Sequence, residues 1–377
     1  MRLAVWIPYI DDKPGGLGVY IRETCVRLFA MFPDHILYTL STSTVPTDWG
    51  VARVEKIQVP QRLDGRARQA FRFVALNTLL PIELKRHGCD VIFIPFHEGM
   101  LAPSVPQALV IHDLTMLHFP SAYFSPFLTA YMRYGLPVVV KHSAATICVS
   151  YHTAMDVAHH CKVPEHSLDI ITEGYNTEVY FPRTPSQRRA LLDDLDLPPR
   201  FLLYSGTLAE HKNTTFLADI LAGARRDGLD VGLVLTGRLD AGAAGPMWDR
   251  FRALKVEDHV FGVGYVSHEQ LSALMQEAYA FVFPSLYEGF GLAPLEAMAS
   301  GASVICSNRA SLPEVVGAGG DLVNPRELRP WLDALSRRTD RNWDKETRAR
   351  AVESAARFQW DDAATQLARR IEAIARN

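Results

Sequence analysis

Residues 280–307 read "AFVFPSLYEGFGLAPLEAMASGASVICS", and the order of their parts decides the fold. An apolar run (280–285) leads into a turn that carries Gly289 and Gly291. A segment of good helix formers follows, and then a second apolar run (302–307). Runs of this length fit strands covered on both faces, as in a parallel sheet. A helix between them supplies the crossover that parallel strands need. Working outward, the alternation recurs. The first half carries "LAVWIPYI" (3–10), "VIFIP" (91–95), "ALVIHD" (108–113), "ATICVS" (145–150) and "LDIIT" (168–172). The second half carries "FLLYSG" (201–206), "VGLVLTG" (231–237) and "VFGVG" (260–264). Helical stripes lie between, such as Ile21, Cys25, Leu28 and Phe32, whose spacing keeps one face apolar. The expectation is an α/β chain of two doubly wound, Rossmann-like domains. We place them at 1–180 and 181–359, with the linker in 177–200, where Pro182, Pro185, Pro198 and Pro199 cluster. An amphipathic C-terminal helix is expected at about 360–377.

Composition narrows the class. The 377 residues include 39 Lys and Arg against 42 Asp and Glu, a net charge of −3, which argues against a nucleic-acid binder working through bulk positive charge. Cys25, Cys89, Cys148, Cys161 and Cys306 show no CxxC spacing, so reduced thiols in a cytoplasmic protein are expected. The N-terminal apolar run is too short for a signal peptide and reads as a first strand. The stretch 61–88 is basic: Arg62, Arg66, Arg68, Arg72, Lys85 and Arg86 outnumber Asp64 and Glu83. With Phe71 and Phe73 beside them, these residues suit a solvated helix face, peripheral contact with the anionic cytoplasmic face of the inner membrane, or docking of a lipid-diphosphate acceptor.

The turn at 288–296 suggests chemistry. Pro294 falls in the first turn of the helix, where a missing N–H removes no bond. Gly289 and Gly291 allow close backbone approach. N–H groups at a helix start favour phosphate. Glu296 can accept two vicinal hydroxyls, as on a ribose, and Glu288 would reach the next moiety along. Taken singly, each glutamate fits equally well as a stabiliser of a helix N-terminus.

The joint pattern resembles the donor-site signature of the retaining family-4 glycosyltransferases, which have the GT-B fold. That resemblance implies two domains facing across a cleft, with the C-terminal helix crossing back to the first domain. It places Glu288 by the sugar and Glu296 by the ribose of a nucleotide-diphosphate sugar, with Gly289, Phe290, Gly291 and Leu292 along sugar and diphosphate. "LLYSGTLAEHKN" (202–213) resembles the same family's first loop of the donor domain. There Lys212 would neutralise the departing diphosphate. Thr207 stands where many members have arginine, and His211 where others have it, so neutralisation is expected to be weaker, shared with His211, or supplied by Arg309. The backbone at Tyr265 and Val266 would line the base. In the first domain, Gly16 would approach the phosphates. His112 would contact donor sugar or acceptor hydroxyl with Asp113 orienting it, and His97 and Glu98 are acceptor-side candidates. "IITEGYNTEVYFP" (170–182) matches the family's crossover except that Glu173 stands where asparagine is usual.

The resemblance thus implies a retaining hexosyltransferase. It would move a sugar, with GDP-mannose favoured, to a glycan or lipid-linked acceptor in cell-surface polysaccharide or lipopolysaccharide synthesis. No cofactor and no metal are expected, since no DxD-type pair occupies a suitable loop. The alternatives are a sugar-nucleotide epimerase, a phosphorylase and a non-catalytic nucleotide-sugar-binding protein.

Overall fold

A computed structural model describes residues 1–10, 15–60, 65–120, 126–237 and 245–376. The chain forms two compact units: 1–174 with 359–377, and 175–358.

Among its described residues, unit 1 holds seven parallel strands: β1 (Leu3–Trp6), β2 (His35–Leu40), β3 (Val54–Ile57), β4 (Val91–Ile94), β5 (Gln107–Ile111), β6 (Ala145–Cys148) and β7 (Asp169–Ile170). Their spatial order is β3-β2-β1-β4-β5-β6-β7. The inner strands are buried along their whole length, whereas the edge strands β3 and β7 are partly exposed. That is what covering by helices on both faces produces. The stripe Ile21, Cys25, Leu28 and Phe32 is buried, on and just after the helix Gly16–Met31. The helix Trp360–Ala375 belongs to this unit and buries Trp360, Leu367, Ile371 and Ile374 in it. Gly174 shows how closely: a Cβ there would run into the backbone N of Trp360.

Among its described residues, unit 2 holds six parallel strands: β8 (Phe201–Ser205), β9 (Gly232–Thr236), β10 (Val260–Gly264), β11 (Ala280–Phe283), β12 (Val304–Ser307) and β13 (Asp321–Val323). Their order is β10-β9-β8-β11-β12-β13. In each sheet the order reverses once, between β1 and β4 and between β8 and β11. Ligands of doubly wound sheets bind at such switch points, outside the carboxyl ends of the strands. The segment 177–200, read from sequence as linker, also contains the helix Pro185–Leu192, closed at its start by a reciprocal Thr184–Gln187 capping box.

Candidate functional site

In unit 2 the loops that leave β8 and β11 at the switch point meet. The β8 loop ends in a single helical turn, Glu210–Lys212, capped by Asn213 at φ 55°, a left-handed position that asparagine tolerates. The Asn213 side chain donates to the carbonyls of Pro284 (3.2 Å) and Pro325 (2.9 Å). The His211 carbonyl accepts from the Leu286 N–H (2.7 Å) and the buried Ser285 hydroxyl (3.0 Å). So fastened, Lys212 places its Nζ 2.7 Å from each carboxylate oxygen of Glu288. Both side chains are largely covered, at 17% and 10% exposure. Burial first, and then the Glu288 charge, push the Tyr204 phenol and the Cys306 thiol well above their usual values, so both stay neutral beside it.

The turn after Glu288 ends at Gly291, with φ 117° and ψ 55°, as N-cap of the helix Leu292–Ala299. A side chain here would be strained, and its Cβ would meet Leu312 at 2.9 Å. The hydroxyl of Ser311, fully buried, donates to the carbonyls of Glu288 (3.0 Å) and Phe290 (2.6 Å), holding the turn open at its base. The N–H groups of Leu292 and Ala293 precede the first intrahelical bond, and Pro294 has none to offer. Glu296, one turn further, is half-buried and hydrogen-bonds to Tyr180. The Tyr180 phenol, 2.8 Å from His268 Nδ1, is raised by burial and by that carboxylate. The assembly is a cation, two carboxylates and a helix N-terminus along one edge.

In unit 1, His112 follows β5. Its Nε2 lies 3.0 Å from the Pro95 carbonyl and its Nδ1 3.3 Å from Glu173. His97 follows β4; burial lowers it to about 4, and its Nε2 is covered and without a hydrogen-bond partner among the described residues.

The first half of the chain, residues 14–179, matches the model described as Glycosyltransferase Family 4, and residues 193–356 match Glycosyl transferases group 1. An O-antigen chain mannosyltransferase B from Escherichia coli is 30% identical over 68% of this chain and 67% of its own length. The chain belongs to glycosyltransferase family 4. The O-antigen chain mannosyltransferase RfbU of Salmonella typhimurium is 26% identical over 61% of this chain and 60% of its own. Among solved structures, a sucrose-phosphate synthase from Thermosynechococcus elongatus superposes with a TM-score of 0.77 at 18% identity, covering 98% of this chain and 97% of that one. That likeness is one of fold, and the fold is GT-B. A family of glycosyl transfer sets aside the epimerase reading.

In this family-4 glycosyltransferase the residues singled out from sequence are placed as follows. Lys212, Glu288, Gly289, Gly291, Leu292 and Glu296 share the β8–β11 edge of unit 2. The Phe290 ring is instead buried against Phe358 (5.5 Å, edge to face), which leaves its backbone at the turn. Thr207 is exposed, and its carbonyl accepts from the Tyr204 hydroxyl (2.7 Å). Tyr265 is exposed and Val266 half-buried just after β10. Gly16 is exposed and opens its helix, with Gly15 as the extended N-cap. Glu98 is buried and ion-paired to Arg72, which removes that arginine from the exposed basic set of 61–88. Arg62 and Asp64 lie outside the described residues, as do the side chains of Arg66 and Arg68.

One expectation is corrected. Asp113 does not orient His112: its Oδ1 accepts from the Thr115 N–H (2.7 Å), and the ring nitrogens face Glu173 and Pro95 instead. Sequence reasoning missed Ser285, Ser311 and Tyr180 as supports of the site. A small hydroxyl residue inside an apolar run was the signal available for the first; nothing local marks the other two.

Proposed function

We propose that this chain transfers mannose, with retention, from GDP-mannose to a glycan or lipid-linked acceptor in surface-polysaccharide synthesis. The supporting observation is the bidentate Lys212–Glu288 pair at the start of the helix that follows Gly291. A diphosphate at the turn would draw the ammonium to itself, stabilising the charge that develops on the leaving group. The freed Glu288 carboxylate would then accept from sugar hydroxyls, and Glu296 from the ribose. Mannose follows the mannosyltransferase relatives; the guanine base is our own assignment, and so is a reaction without metal. A screen of sugar nucleotides tests this: nucleotide release is followed for each donor with and without oligosaccharide or polyprenyl-linked acceptors. GDP-mannose should lead, and a chain that neither binds nor turns over any donor would end the reading. The anomeric configuration of the product decides retention.

We also assign unit 1 a contact with anionic lipid. Val74 and Ile82 on the helix Gly65–Arg86, and Phe127 and Tyr134 on the neighbouring stretch 126–142, are exposed, with Arg86 and Arg133 among them. Phe73 against Phe127 (5.7 Å between ring centroids) brings the two helices side by side. No helix among the described residues is long and apolar enough to cross a membrane, so the contact would be peripheral. Charge reversal at Arg86 and Arg133 should weaken binding to phosphatidylglycerol vesicles; unchanged binding retires the assignment.

A further inference from the structure

The His112 ring is held on both sides. At Nε2, 3.0 Å away, stands the Pro95 carbonyl, which can only accept, so Nε2 carries a hydrogen. At Nδ1, 3.3 Å away, stands Glu173 Oε1. Without a second proton there, a nitrogen lone pair would face an oxygen lone pair. The surroundings confine the ring further. Tyr20 lies edge-on at 4.5 Å, and the Thr153 hydroxyl donates to the His112 carbonyl at 3.2 Å. Glu173 is 5% exposed. Burial raises its carboxyl most, the Asp113 charge raises it further, and the His112 ring opposes both. The other titratable groups facing the pair are Tyr20, from the first helix, and His97, from the end of β4; Arg72 acts on His97 in turn.

We propose that Glu173 is a positioning residue for His112, and that its grip depends on one proton shared between Oε1 and Nδ1. While that proton is present, the ring is clamped between Pro95 and Glu173. When it leaves, the carboxylate repels the ring nitrogen and His112 loses its orientation. With Nε2–H committed to Pro95 and Nδ1 to Glu173, the imidazole offers no lone pair for base duty and serves by its placement. The alkaline limit of turnover then belongs to this pair. This rests on the reading that His112 serves the transfer reaction.

Glu173→Gln and Glu173→Ala, made in the full chain, test it. A glutamine N–H donates to the Nδ1 lone pair without a shared proton. Wild type should lose turnover as the pH is raised. Glu173→Gln should keep most of its turnover at neutral pH and lose that alkaline limb, whereas Glu173→Ala should fall about 10²-fold at every pH, as misplaced groups do. Nitrogen spectra of ¹⁵N-histidine protein, assigned with His112→Asn, supply a readout apart from activity. In wild type, Nδ1 should change from protonated to bare across the pH range where turnover fails. In Glu173→Gln it should stay hydrogen-bonded throughout. Superimposable pH profiles for wild type and Glu173→Gln would overturn the proposal, as would a wild-type Nδ1 that is bare at neutral pH. Full turnover in His112→Asn would instead overturn the assignment of His112 to the reaction, while the nitrogen spectrum still judges the shared proton.

Discussion

Replacing Lys212 by methionine separates two jobs that the ammonium holds at once. In the structure it neutralises Glu288, whose carboxylate is 10% exposed and meets Nζ with both oxygens at 2.7 Å. Removing one member of a well-buried pair costs about 3–5 kcal/mol. This pair keeps some access to water, so about 2 kcal/mol is the better figure. In a unit of this size that lowers Tm by about 4–8 °C. Glu288→Gln should cost a similar amount, because it leaves the ammonium uncompensated. The double variant Lys212→Met/Glu288→Gln should regain most of the loss, giving a coupling of about 1 kcal/mol or more. Turnover should behave otherwise. Each single change removes a contact to the donor and should lower kcat by about 10²–10³-fold, and the double variant should recover none of it. Urea denaturation and donor-dependent nucleotide release measure the two sides. If the stability losses simply add, the pair is not mutually supporting. Turnover restored in the double variant would refute the separate roles given to the two residues.

Three further expectations can be checked directly. Gly291→Ala should cost about 1–3 kcal/mol, from the left-handed backbone it would strain, and should abolish donor binding by calorimetry; normal binding would remove the turn from the site. Gly174→Ala forces a methyl against the backbone of Trp360, so thermal unfolding should shift down by several degrees with the helix 360–375 loosened in hydrogen exchange. Protection unchanged there would show that the contact yields cheaply. His97, lowered to about 4 by burial, binds its proton more readily in the unfolded chain. Stability should therefore rise with pH between about 4 and 6.5, by up to about 1.4 kcal/mol per unit. His97→Gln should flatten that slope in urea titrations, and an equal slope would mean that the ring is not kept neutral.

How much could be read beforehand depended on chain distance. The central strands were visible because full burial demands continuous apolar runs. β2, "HILYTL", escaped because it opens on His35, whose polarity is absorbed by bonds to the Phe32 carbonyl (2.6 Å) and from the Ala52 N–H (2.8 Å). The edge strands β3, "VEKI", and β13, "DLV", carry charge and are too short to show a period. In the site, the Gly289–Gly291 turn and the eight-residue step from Glu288 to Glu296 were legible because they are local. The pairing of Lys212 with Glu288 across 76 positions was not, nor was that of His112 with Glu173 across 61. Both pairings arise from strand order, which local patterns do not encode.

The division of the chain has a consequence for its birth on the ribosome. Unit 2 is one uninterrupted segment, 175–358, whereas unit 1 waits for residues made after it. At about 5–20 residues per second, the groove destined for Trp360, Leu367, Ile371 and Ile374 stays bare on the order of ten seconds or more while unit 2 emerges. The nascent first sheet thus passes through an interval in which it depends on chaperones or on its own solubility, and a stop codon before residue 360 would make that interval permanent.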